Sequence, residues 1–352
     1  MNRIRKIALE EHFMAPGFER YSKTFLQHID KATYAELASR LADFDELRLA
    51  EMDRAGIAVT VLSQTGPGVQ GELDTNAAIA SAKDNNDFLA SQVARPPTRY
   101  AGSATLPMQD PQAAADELTR AVKDLGFKGA LVNGHTNGRY YDDPAFDVVW
   151  ERFQALDVPL YLHPIDFPAV PASFAGHAEL KGATWGWGIE TATHALRLLF
   201  GGVFDRFPRL TVILGHMGEG LPFQRWRFDS RFAAYPHGIR LQRAPSEYIG
   251  SNIVITTSGV CSGATLAGAI AELGAQAVMF SVDYPYESTA VAADFIDLAV
   301  QLGLLPVDPV PEPALREELG ELCELVLAGD GLSLRVAAQA GVSREACILL
   351  SD

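Results

Sequence analysis

The sequence predicts an α/β fold, a closed (β/α)8 barrel, and three observations carry that expectation. Eight short apolar runs rich in β-branched residues recur along the 352 residues, as parallel strands buried on both faces require. Amphipathic helical patterns separate most of them, supplying the crossovers that parallel strands need. No G-x-G-x-x-G or G-K-[ST] loop follows an early strand, which counts against the alternative, a doubly wound open sheet.

In chain order the strand runs are 5–10 (RKIALE), 57–63 (IAVTVLS), 100–106 (YAGSATL) and 128–133 (KGALVN). They continue at 158–163 (VPLYLH), 210–214 (LTVIL), 252–257 (NIVITT) and 277–282 (AVMFSV). Residues 112–124 and 144–155 keep the spacing of a one-sided apolar stripe, and Pro144 sits where a first helical turn tolerates proline. A third helix is expected over 190–206, closed by Pro208. Residues 14–50 read as a long, mostly helical insertion after the first strand, placed to wall a pocket at the barrel mouth. Residues 1–300 thus form one catalytic domain. Residues 301–352 form an acidic C-terminal segment, punctuated by Pro306, Pro309, Pro311 and Pro313.

Forty-four acidic against twenty-nine basic residues give a net charge of −15, which repels nucleic acid and anionic membranes alike. No stretch of eighteen uncharged apolar residues suggests a membrane span. The opening MNRIRKIALEEHF is broken by glutamates too early for a signal-peptide core, so the cytoplasm is the expected compartment. Cys261, Cys323 and Cys347 are too few and scattered for a disulfide framework or a zinc cluster.

In a barrel of this kind the C-terminal ends of the strands face the active site. Four of the runs end in metal-ligating or acid/base groups: Glu10-Glu11-His12, His163, His216 and Asp283. On an extended strand Glu10 and His12 point to one side while Glu11 points away. Carboxylates and imidazoles with no thiolate suit a divalent ion such as Zn²⁺ or Mn²⁺ and leave positions for substrate oxygens. His216 lies three residues before Glu219 in LGHMGEG. If the chain turns into a helix there, Glu219 accepts from one imidazole nitrogen and the other faces the pocket, an acid/base dyad.

The segments KIALEEHF, GFKGALVNG, DVPLYLHP, ETATHALRLLFGGVFDRFPRL, VILGHMGEGLPFQRWRFD, ITTSG and FSVDYPYE fall between residues 6 and 288. Together they resemble the amidohydrolase superfamily, in particular its aromatic-acid decarboxylase branch, which acts on γ-resorcylate (2,6-dihydroxybenzoate), 2,3-dihydroxybenzoate and salicylate. The Glu-x-His opening is similar to that branch, where most amidohydrolases begin His-x-His. The resemblance implies a distorted TIM barrel of the metal-dependent amidohydrolase type, one divalent metal ion, no organic cofactor, and non-oxidative decarboxylation of an ortho-hydroxybenzoate by ipso protonation. It implies Glu10, His12, His163 and Asp283 as metal ligands, and Asp283 as proton donor ahead of His216 with Glu219. Arg227, Asn133 and Tyr286 would shape the substrate pocket, and a homo-oligomer, dimer or tetramer, is expected. The competing expectation is a metal-dependent hydrolase of the same superfamily, acting on a lactone or amide. The C-terminal segment departs from the resemblance, since relatives close with a helix carrying an Asn-Ala pattern.

Overall fold

Each apolar run becomes a strand of the computed structural model, which describes residues 6–22, 29–95 and 99–305. The strands are β1 (Lys6–Phe13), β2 (Ile57–Gln64), β3 (Tyr100–Gly102), β4 (Ala130–Asn133), β5 (Leu160–His163), β6 (Val212–Leu214), β7 (Ile253–Thr256) and β8 (Val278–Met279). Neighbours pair in parallel in the order β1-β2-β3 and β4-β5-β6-β7-β8. Two isolated parallel bridges, Ala104 to Ala130 and Glu11 to Tyr284, join the two ladders into a ring. The barrel is therefore closed but distorted, with thin seams on either side of β1-β2-β3.

The later strands are shorter than the apolar runs because side chains take over the ladder. Past β8, Ser281 N donates to Thr257 Oγ1 at 3.1 Å and Val282 N donates to Glu11 Oε1 at 2.9 Å. Past β3, Thr105 N donates to Asn86 Oδ1 at 2.8 Å. Backbone donors buried at these seams need partners of some kind, and polar side chains supply them while freeing the chain to bend.

The α-helices of nine or more residues among the described residues are α1 (Lys31–Ala42), α2 (Leu47–Ala55), α3 (Thr75–Val93), α4 (Pro111–Lys123), α5 (Asp147–Leu156), α6 (Gly186–Phe200), α7 (Arg225–Ala234), α8 (Gly263–Leu273) and α9 (Thr289–Gln301). The insertion after β1 holds α1, α2 and a single turn at Glu19–Ser22. Its Arg48, buried on α2, donates from Nη2 to the His12 carbonyl at 2.6 Å and stacks 4.2 Å from the Tyr284 ring centroid. The insertion thus braces the seam between β1 and the loop after β8.

The helix expected over 190–206 starts earlier and is two helices. α6 ends at Phe200 with Gly201 as its cap, and Val203–Arg206 forms a separate turn after Gly202, whose φ is 70°. Residue 201 must be glycine for packing, because a Cβ there would lie 2.7 Å from Arg197 O. Residues 306–352, most of the expected acidic segment with Cys323 and Cys347, lie outside the described residues. Among the described residues no helix is long and apolar enough to cross a membrane.

Candidate active site

The β1–β8 seam assembles the centre. Asp283 N donates to Glu10 O at 3.1 Å and His12 N donates to Tyr284 O at 2.7 Å, so closing the ring sets Asp283 beside Glu10 and His12. Glu10 and His12 share one face of β1 and are fully buried. Glu11 points the other way, as alternation requires, yet it enters the seam rather than solvent. Burial pushes its carboxyl up to about 8.

One ligand atom from each of Glu10, His12, His163 and Asp283 lies within 4.8 Å of the others. His12 Nε2 stands 3.4 Å from Asp283 Oδ1, and His163 Nε2 stands 3.4 Å from Glu10 Oε1. His163 Nδ1 sits 2.9 Å from Pro164 O, where it donates as N–H, and His12 Nδ1 sits 3.3 Å from Ser63 Oγ. The carbonyl partner fixes the His163 tautomer with its Nε2 lone pair inward, and the Ser63 hydroxyl can accept from His12 Nδ1 to allow the same orientation there. Glu10 Oε1 and His12 Nε2 are fully buried and have no hydrogen-bond partner. A buried acceptor left that way costs roughly 1–3 kcal/mol, and a cation at the centre of the four groups removes the cost.

The charge states agree with that fit. Burial, and next the neighbouring His12, hold the His163 imidazole well below its ordinary value, so it is neutral as a ligand must be. Burial raises Glu10 above the usual carboxylate range, outweighing the opposing pull of the nearby His216. The donor set suits a divalent ion of the Mn²⁺ or Zn²⁺ kind.

His216 completes the ring. Its Nδ1 lies 2.7 Å from Glu219 Oε1, and its Nε2 lies 3.6 Å from Asp283 Oδ2 and 3.9 Å from Glu10 Oε1. Burial would lower this imidazole, but Glu219, Glu10 and Asp283 outweigh burial and hold it well above its ordinary value, as an imidazolium. Burial would likewise raise Asp283, but the adjacent His12 and His216 imidazoles hold it below its usual range. The pair is formed as expected, though not by a right-handed helix. His216, Met217, Gly218, Glu219 and Gly220 all have positive φ, from 50° to 78°, which makes a left-handed turn. Each non-glycine residue there costs about 1–2 kcal/mol. A side chain at Gly218 would meet Ile255 Cγ2 at 2.5 Å, so β7 forces the close approach and tertiary packing sustains the strained turn.

Asn133 pairs in register with His163 across β4 and β5 and is buried. A Cβ on Gly66 would lie 3.1 Å from Asn133 Oδ1 and 3.8 Å from His163 Cε1, so the loop after β2 passes close over both. Tyr286 sets its ring edge-on to His12 at 5.7 Å, and its hydroxyl lies 2.5 Å from Thr65 Oγ1. Arg227 stands apart. It is exposed on α7, and among the described residues no hydrogen bond or ion pair joins it to the centre.

Sequence reasoning missed Tyr161, whose hydroxyl hydrogen-bonds Glu10 Oε2 and lies 2.9 Å from Thr256 Oγ1. The signal was there: Tyr161 precedes His163 by two in LYLH, so strand alternation puts both on one face.

A family model described as Amidohydrolase matches residues 12–321. The γ-resorcylate decarboxylase of Polaromonas sp. (strain JS666) is 46% identical over 305 residues, covering 83% of this chain and 91% of that protein. A dihydroxybenzoic acid decarboxylase from Polaromonas sp. JS666, solved with bound manganese and the inhibitor 2-nitroresorcinol, superposes with a TM-score of 0.78 at 46% identity. It covers 84% of this chain and 91% of its own. A 2,6-dihydroxybenzoate decarboxylase solved with 2,6-dihydroxybenzoate gives a TM-score of 0.78 at 43% identity, over 83% of this chain and 92% of its own. The ring of eight strands, the inward carboxylates and imidazoles, and a match over most of the length agree: the chain belongs to the amidohydrolase family.

Proposed function

We propose that this protein is a metal-dependent carboxy-lyase that removes CO₂ from an ortho-hydroxybenzoate without oxidation, with 2,6-dihydroxybenzoate as the favoured substrate. The observation that carries the reading is the 46% identity to a γ-resorcylate decarboxylase over 91% of its length. Four convergent ligand atoms beside a charged His216 support it. Glu10, His12, His163 and Asp283 would hold one divalent ion, manganese or zinc, which when bound supplies a Lewis-acid anchor for the phenol and one carboxylate oxygen.

Direct loss of CO₂ from an aryl carboxylate leaves an electron pair in the ring plane, where the π-system cannot stabilise it. Protonating the ipso carbon first avoids this, and an ortho-hydroxyl feeds electron density to that carbon. Asp283 delivers the proton. A carboxyl held below its usual range is a strong acid that does not store a proton, so His216, kept charged by Glu219, resupplies it across 3.6 Å. The ipso C–H bond forms, the C–CO₂ bond breaks, and its electron pair restores the aromatic ring. One proton is taken up for each CO₂ released, and no organic cofactor is called for. Asn133 and Tyr286 flank the centre as walls of the substrate pocket, and Arg227 is assigned to its outer rim. The working unit is proposed to be a homo-oligomer, dimer or tetramer.

A panel of hydroxybenzoates, incubated with manganese-loaded protein and followed by ultraviolet absorbance and CO₂ release, tests this. 2,6-Dihydroxybenzoate should give one CO₂ and its decarboxylated phenol, and a chelator should abolish turnover until Mn²⁺ is restored. Unchanged spectra across all ortho-hydroxy acids, with turnover of a lactone instead, would overturn the reading in favour of a hydrolase.

A further inference from the structure

The two oxygens of Glu10 stand in different surroundings. Oε1 faces His163 and His12 at 3.4 and 3.9 Å and has no hydrogen-bond partner. Oε2 points the other way, onto the buried Tyr161 hydroxyl. Tyr161 also meets Thr256 Oγ1 at 2.9 Å, and Thr256 Oγ1 accepts from Ser258 N at 3.4 Å.

Proton counting allows these bonds one direction. An ionised carboxylate only accepts, so Tyr161 donates to Glu10. The phenol oxygen then accepts from the Thr256 hydroxyl, whose own lone pair accepts from the Ser258 amide. The direction is set at the carboxylate end: a metal-binding Glu10 is ionised and can only accept. The phenol proton therefore goes to Glu10 and leaves the phenol oxygen free to accept from Thr256. Space closes the remaining side. A Cβ on Gly215 would lie 2.6 Å from Glu10 Oε2 and 3.0 Å from the Tyr161 hydroxyl. Glu10 Oε2 is thus held by β5 directly, by β7 through Tyr161, and by the close approach of the chain just after β6.

We infer that Tyr161, oriented by Thr256, is a positioning residue that restricts Glu10 to one donor oxygen. With Oε2 occupied, Glu10 presents Oε1 alone, and a second position that a two-oxygen carboxylate would take stays open for a substrate oxygen. The inference rests on the metal site proposed above. Outer-shell partners of this kind are worth about 10–100-fold in metal affinity.

The test uses the full chain stripped of metal and titrated with Mn²⁺, with free Mn²⁺ read by electron paramagnetic resonance. Tyr161→Phe should weaken Mn²⁺ binding about 10–100-fold and alter the zero-field splitting of the bound ion. Thr256→Val should move both readouts the same way by a smaller amount, whereas Thr256→Ser, which keeps the hydroxyl, should match the unsubstituted protein. If Tyr161→Phe fails to fold, the Val and Ser pair at position 256 decides alone. Equal affinity and equal splitting in Tyr161→Phe or Thr256→Val and the parent would overturn the inference and leave the metal site standing. A parent that binds no Mn²⁺ would overturn both.

Discussion

Three carboxylates, Glu219, Glu10 and Asp283, face the His216 imidazole, and that crowding gives the residue its proton. Since His216 is not one of the four converging ligand residues, its removal should separate chemistry from metal binding. His216→Asn should lower the decarboxylation rate by about 10²–10⁴, the usual loss for an acid/base group, while manganese content stays near one ion per chain. A rate near that of the parent would show the dyad to be structural. Asp283→Asn should behave differently, abolishing turnover and weakening metal retention together, with an unchanged circular dichroism spectrum. At this scale the strand-end ligands were legible because alternation along a strand is a local property of the chain. The left-handed turn at His216–Gly220 was not, because β7, remote in sequence, imposes it through Ile255. The exposure of Arg227 was equally hidden, since a dipeptide motif does not say which way a helix turns its faces.

Along α6 the buried Glu190 makes a prediction that belongs to the helix rather than to the catalytic centre. Burial raises its carboxyl from 4.5 to about 7, a rise only partly offset by the neighbouring Tyr140 hydroxyl. In the unfolded chain the same group titrates near its ordinary value. Between pH 4.5 and 7 the folded protein therefore holds a proton that the unfolded chain has lost. Stability falls as pH rises through that window and levels off above it. The full effect is about 3 kcal/mol, because each tenfold difference in proton affinity between the two states is worth roughly 1.4 kcal/mol. Glu190→Gln should remove this component, raising Tm at pH 8 by several degrees relative to the parent while changing it little at pH 5. Scanning calorimetry at the two pH values checks it, and parallel Tm curves for the two proteins would refute it. The sequence revealed α6 as an amphipathic stripe but not its break. The Gly201–Gly202 pair reads as tolerable inside a helix until the crowding at Arg197 O is known.

The whole barrel was readable as eight runs with helices between, because burial on both faces of every strand leaves a compositional trace. Its closure left none. The ring is joined at Glu11–Tyr284 and Ala104–Ala130 by single bridges, and the side chains that complete those seams, Arg48 and Glu11 among them, look in the sequence like ordinary surface charges. The outer surface carries the last prediction. Trp226 is 79% exposed on α7, and Phe223, just before that helix, is 48% exposed. An isolated subunit that leaves a tryptophan and a phenylalanine so open forgoes several kcal/mol of burial, at about 25 cal/mol per Å² of apolar area. Closed symmetric assemblies are the commonest way for an enzyme of this size to cover such a surface. Light scattering at micromolar concentration should therefore give a dimer or tetramer. Trp226→Ala combined with Phe223→Ser should shift the population toward smaller species, with Mn²⁺ binding retained because neither residue reaches the ligand cluster. A monomer in the parent protein would refute the assembly, and an undiminished oligomer in the double variant would place its interface on another face.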